Sequence, residues 1–176
     1  VCDQDNNWAI FEELGSSPPS IEASRVLDCL ACLPGSCNTG SAAVSAYTQA
    51  FLKGYKTWVR LPRERWPPGW EQLPYFDPVV PLILALYGHP DDGGFWEQRC
   101  EEQVKLEGWE PINNWPGLFW HPLHKALLIV YVDDFKMAAP EGVTAKLWQG
   151  LKTRLELDEP DTVDRFLGCY GRTVHA

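Results

Sequence analysis

The apolar positions change period several times along the chain, and each change marks an element. Ala126-Leu127-Leu128-Ile129-Val130-Tyr131-Val132 is an unbroken apolar run, short and rich in β-branched and aromatic residues. That composition predicts a buried strand rather than a helix. The run ends in Asp133-Asp134, and Phe135 to Ala138 then alternates as a second strand. The two carboxylates are therefore expected at a tight antiparallel connection. Upstream, Gly117-Leu118-Phe119-Trp120 predicts a strand that pairs with the central one through His121-Pro122-Leu123-His124.

Helical periods flank this block. Trp96, Cys100 and Val104 recur at i, i+4 and i+8 behind Asp91-Asp92, with Gly108 closing the helix. Val143, Leu147, Leu151 and Leu155 form the stripe of a helix opened by Pro140. Nearer the N-terminus, Ser20 caps a helix carrying Ile21, Val26, Leu27, Leu30 and Leu33, and Pro34-Gly35 stops it. Thr57 to Leu61 alternates as a strand before Pro62, Pro67 and Pro68 force a loop. Residues 36–45 are small and polar, and Arg165 to Tyr170 reads as a last strand. The sum is an α+β arrangement, an antiparallel sheet backed by helices on one face. Residues 1–36 form an N-terminal segment and residues 37–176 the core.

Composition narrows the picture. With 176 residues, 45% of them apolar, and nine tryptophans, the chain can bury a sizeable core. It is one domain or a piece of a larger protein, and its start at Val1 rather than Met suits an internal piece. A net charge of -9 argues against coating nucleic acid through bulk charge. The exception is local: Lys53, Lys56, Arg60, Arg63 and Arg65 share a short stretch with a single acid, Glu64. No apolar run approaches the roughly twenty residues that span a bilayer, so no membrane association is expected. No basic leader precedes the first apolar residues. Cys29, Cys32 and Cys37 lack a fourth ligand at zinc-finger spacing, so free buried thiols in a reducing intracellular compartment, cytoplasmic or nuclear, are expected.

Two adjacent carboxylates at the lip of a packed core suit a hard divalent cation, although Asp is also at home in turns. His89, His121 and His124 are ligands by count, and with the Asp pair they would describe a small metal-dependent hydrolase. His121 and His124 flank a turn and read as loop residues.

Four stretches stand in a fixed order. Ala46-Tyr47-Thr48-Gln49-Ala50-Phe51-Leu52 leads to Trp58-Val59-Arg60-Leu61-Pro62, and Leu86-Tyr87-Gly88 precedes the Trp96 helix. Tyr131-Val132-Asp133-Asp134 follows, then Phe166-Leu167-Gly168. In this order the chain resembles the reverse transcriptase domain of copia-type retrotransposons, over about Glu22 to Gly171. The resemblance implies a palm with partial fingers and no thumb, one part of a Pol polyprotein with other domains beside it. It implies RNA-directed DNA synthesis on a template-primer with deoxynucleoside triphosphates, through two Mg2+ ions held by three carboxylates. Asp133 and Asp134 match two of these catalytic, metal-binding carboxylates. Tyr131 and Val132 would lie near the primer end and the incoming nucleotide, and Phe166, Leu167 and Gly168 would support the primer. Lys53, Lys56, Arg60, Arg63 and Arg65 would meet the nucleic-acid backbone.

One departure outweighs these matches. The family's first catalytic Asp precedes the Ala-aromatic pair by four residues, which is Ala42 here, or Ala43 with a shift of one. No Asp or Glu occurs from Ala31 to Arg63, so no register restores it. The loop after Tyr87 departs too, with His89-Pro90-Asp91-Asp92-Gly93-Gly94 where the family places basic residues. The expectation is a polymerase fold with weakened Mg2+ binding and little or no polymerase activity. The alternative is a non-catalytic nucleic-acid or protein binding module on the same fold.

Overall fold

The structure is a computed structural model and describes residues 18–54, 56–74, 76–89, 91–163 and 165–170. Residues 1–17 of the N-terminal segment lie outside the described residues. The elements run α1 (Ile21–Ala31), β1 (Ser36–Ala42), β2 (Trp58–Arg60), β3 (Val79–Pro81), α2 (Asp92–Leu106), β4 (Glu110–Pro111) and β5 (Leu118–His121). They continue with β6 (Ala126–Tyr131), β7 (Asp134–Pro140), α3 (Glu141–Lys152), β8 (Arg165–Phe166) and β9 (Cys169–Tyr170).

Five strands form one antiparallel sheet in the order β1-β7-β6-β5-β4. Its two faces lead to two cores. Leu128, Phe135, Met137 and Ala139 join Trp96, Cys100, Val104, Trp148 and Leu151 on the side of α2 and α3. Leu127, Ile129 and Ala138 join Ala23, Leu27 and Phe166 on the side of α1. Helices thus cover both faces, not one as the sequence suggested. The physical reason lies in the run Ala126 to Val132: a strand buried on both sides is apolar at every position instead of every second one. Each such fully buried aliphatic or aromatic side chain stabilises the fold by roughly 1.5–3 kcal/mol.

The α1 face holds one charge. Lys136 is only 4% exposed. Its ammonium lies 2.7 Å from the Asp28 carboxylate, donates to Ser24 Oγ at 3.1 Å, and sits 5.4 Å from the centre of the Phe166 ring. Asn38 Nδ2 of β1 donates to the same Asp28 oxygen at 3.0 Å. The Asp28 side chain is half exposed, so the carboxylate keeps part of its hydration while the ammonium has lost nearly all of it. Ser20 caps α1 as expected, its hydroxyl accepting from the Ala23 N–H at 3.1 Å.

The segment 36–45 carries no strand pattern, yet Ser36–Ala42 is a seven-residue strand paired along its length with β7. Its side chains are small because neighbours press on it from both sides. A Cβ on Gly40 would meet the Val163 methyl at 2.6 Å, and Thr39 Oγ1 accepts from the Trp148 indole N–H at 2.8 Å. Residues 156–161 cover the outer edge of β1 at its Gly40–Ala42 end. Gly40 and Asp161 exchange hydrogen bonds of 2.8 and 2.9 Å, and the Asp158 N–H donates to the Ala42 carbonyl at 2.9 Å.

The last stretch is not one strand. Leu167 and Gly168, both with positive φ, fold it into the β8–β9 hairpin outside the main sheet. β2 and β3 form their own two-stranded unit. Among the described residues no helix is long and apolar enough to cross a membrane.

Candidate functional site

The β6–β7 connection is as tight as the pattern predicted. Tyr131 pairs with Asp134, leaving Val132 and Asp133 as the two turn residues. Val132 adopts φ 53°, a left-handed conformation that a β-branched side chain disfavours. Two contacts from outside the hairpin hold it there. The Trp96 indole N–H of α2 donates to the Val132 carbonyl at 2.6 Å, and the Ala43 N–H donates to the Asp133 carbonyl at 2.7 Å.

The adjacent carboxylates open onto different grooves. Asp133 lines an open groove of about 370 Å³ with Val132, Ala43, Ala46, Tyr47 and Tyr87. Asp134 lines another, about 560 Å³, with Tyr131, Arg165, Phe166, Leu167 and Gly168. Asp134 is the first residue of β7 while Asp133 belongs to the turn, and the two side chains line different grooves. The groove of Asp134 thus joins Tyr131 to Phe166-Leu167-Gly168. Phe166 itself is buried under α1, so its ring is a packing group.

Opposite each carboxylate stands an alanine. Ala42 is the cross-strand partner of Asp134, and paired residues of an antiparallel ladder share a face. Ala43 lines the groove of Asp133. Each alanine thus stands near one of the two carboxylates and neither is placed beside both. Among the described residues no group of three His, Cys, Asp or Glu side chains is placed to hold a metal ion. A divalent cation binds through several oxygen ligands, so this donor set does not fit a two-cation centre.

Partial burial, and then the neighbouring Asp133, hold the Asp134 carboxyl above its ordinary value of 3.8. A raised carboxyl favours the protonated native state, so its stabilising contribution is full below 3.8 and is lost as pH rises through the raised value. Asp134→Asn is therefore expected to be more stable than wild type at neutral pH, by less than about 1 kcal/mol for so exposed a charge. The gap should close as pH falls toward 3.8. Urea unfolding at several pH values measures it, and a variant weaker than wild type at pH 7 would show that Asp134 has a stabilising partner.

The five cations of the basic run are all exposed, on and around β2. None of them lines either groove at the hairpin. Arg60 pairs with Asp77 at 3.0 Å, Lys53 donates to Gln98 Oε1 at 3.2 Å, and Arg63 lies 5.6 Å from the Trp66 ring centre. The histidines do not join the carboxylates. His121 is not a loop residue but the buried end of β5, its ring edge-on to Trp109 at 5.1 Å and beside His124 at 4.7 Å. It pairs with Ala126 at the start of β6, whereas Asp133 follows the end of that strand. At about 3.3 Å per residue the strand separates them by roughly 17 Å, which takes His121 and the neighbouring His124 away from the carboxylates. His89 Nε2 lies 3.2 Å from Thr57 Oγ1. The free thiols are not all buried as the sequence suggested: Cys29, Cys32 and Cys169 are exposed, Cys100 is buried, and Cys37 is half-buried with its sulfur 3.2 Å from Thr144 Oγ1.

Three residues that shape the site carry little sequence signal of their role. Tyr47 and Tyr87 face each other across the Asp133 groove although forty positions apart, and Lys136 hides in an alternating strand. Trp96 heads a helical stripe, and Tyr47 and Tyr87 stand in the ordered motif stretches, but nothing in the pattern announces that the two rings meet. The chain matches no protein-family model, no curated protein and no solved structure.

Proposed function

We propose that this chain is a copia-type reverse-transcriptase palm that has lost nucleotidyl transfer and keeps the architecture of the template-primer site. The observation that carries the reading is the register of β1 on β7, which sets Ala42 opposite Asp134 at the tip of the Tyr131-Val132-Asp133-Asp134 hairpin. The ordered motifs support the family, and the hairpin flanked by a strand without an acid supports the loss of chemistry. With two carboxylates turned to different grooves, Mg2+ binding is weak and no cation is held against both a primer hydroxyl and a triphosphate. The acidic turn Asp91-Asp92 beside Tyr87 adds charge that opposes a triphosphate.

Primer extension on an RNA template with Mg2+ or Mn2+ tests the reading. The wild-type chain is expected to give no product, and Ala42→Asp is expected to tighten Mg2+ binding measured by calorimetry. Robust wild-type synthesis would sink the claim of lost activity. Binding of template-primer that weakens steeply with salt, without extension, favours the alternative of a nucleic-acid binding module. The exposed cations around β2 and the exposed Trp58 are the features that support that second reading.

A further inference from the structure

The groove at Asp133 has a chemistry of its own, apart from any polymerase reading. Tyr47 and Tyr87 form a tilted pair, ring centres 5.8 Å apart and planes at 43°. Tyr87 is 84% exposed, so much of its ring surface is open to solvent. Val132 and Leu86 supply apolar wall, and the groove holds about 370 Å³. The single charged side chain in its lining is Asp133, and no ion pair satisfies that carboxylate among the described residues. Asp92 and Asp133 both act on the Tyr47 hydroxyl, which burial first and then these carboxylates hold above its ordinary value, so negative potential converges on this spot.

An aromatic face and an unpaired carboxylate are the two elements that recognise an organic ammonium. Ring quadrupoles attract a cation within about 6 Å of the centroid, and the attraction grows as the ligand loses water. A hard, strongly hydrated dication gains less here, because one carboxylate and aromatic walls do not replace its water shell. A phosphate-bearing ligand would meet only like charge. We infer that the Asp133 groove binds small organic monocations, with Tyr47 and Tyr87 as the aromatic wall and Asp133 as the counter-ion.

Choline is the probe, and its neutral isostere 3,3-dimethylbutanol is the control for size and apolar contact. Titration of the 176-residue chain, followed by backbone amide NMR, should shift Tyr47, Tyr87, Val132 and Asp133 with choline. The isostere should bind at least about fivefold more weakly, as expected for loss of a cation–π and charge contribution. Tyr87→Ala and Asp133→Asn should each weaken choline by about fivefold. Both positions are exposed, so unchanged amide spectra elsewhere separate lost binding from lost folding. Equal affinity for choline and the isostere, shifts confined to other parts of the molecule, or no shifts at millimolar choline would each overturn the inference. Primer extension plays no part in this readout, so failure here and failure of the palm reading are told apart.

Discussion

Asp28→Ala is expected to cost about 3 kcal/mol of folding stability, while Lys136→Met costs far less. The difference follows from where water reaches. Lys136 Nζ is almost sealed beneath α1, and its close partners are the Asp28 carboxylate and the Ser24 hydroxyl. Removing Asp28 strands an ammonium in a site lined by Leu127, Ile129 and Phe166, and a hydroxyl alone does not compensate it. Removing the lysine instead leaves a half-exposed carboxylate that keeps Asn38 and takes up water, while methionine fills the apolar space. Thermal unfolding reads the outcome. At about 2–4 °C per kcal/mol for a chain of this size, Asp28→Ala should melt roughly 9 °C lower. The double variant should return close to Lys136→Met alone, since the penalty belongs to the unpaired charge. Equal losses from both single variants would show that the pair is an ordinary surface contact.

The second large effect is at Trp96. Trp96→Ala is expected to cost about 4 kcal/mol, the range for deleting a buried aromatic ring. Trp96 is 2% exposed and joins the core formed by Phe119, Leu128 and Phe135. Trp96→Phe separates the two roles of the side chain. It keeps most of the packing and loses the 2.6 Å hydrogen bond to the Val132 carbonyl. A cost of about 1 kcal/mol is expected for that bond. The amide signals of Val132 and Asp133 should move in this variant while those of β4 and β5 stay. Chemical denaturation with NMR measures both, and an unmoved turn in Trp96→Phe would show that α2 does not position the hairpin.

These two sites also show what the chain's pattern disclosed. The hairpin and α2 were legible because their apolar spacing is strict: seven consecutive apolar residues, then Trp96, Cys100 and Val104 on one helical face. β1 was not, because Ser36 to Ala42 is shaped by close approach of α1, α3 and residues 156–163 rather than by burial of large side chains. Arg165 to Tyr170 reads as one strand until the positive φ of Leu167 and Gly168 bends it. The Lys136–Asp28 pair joins positions 108 apart in sequence, so no local pattern announces it. The second covered face was present in the sequence all along, in the unbroken apolar run of β6. Of the candidate site, the carboxylate pair and its turn could be read from residue types, but which residues share a groove with each carboxylate needed the folded chain.

The covered end of the β1 edge has a consequence for self-assembly. An open strand edge offers free N–H and C=O groups to another chain and is a common start of aggregation. Residues 156–161 take up the Gly40–Ala42 end of that edge on one side of the sheet. On the other side the last strand is only Glu110–Pro111, where a charge and an imino nitrogen without a hydrogen blunt further pairing. Among the described residues, both edges of the main sheet are thus poor templates for backbone pairing with another copy near Gly40–Ala42 and at Glu110–Pro111.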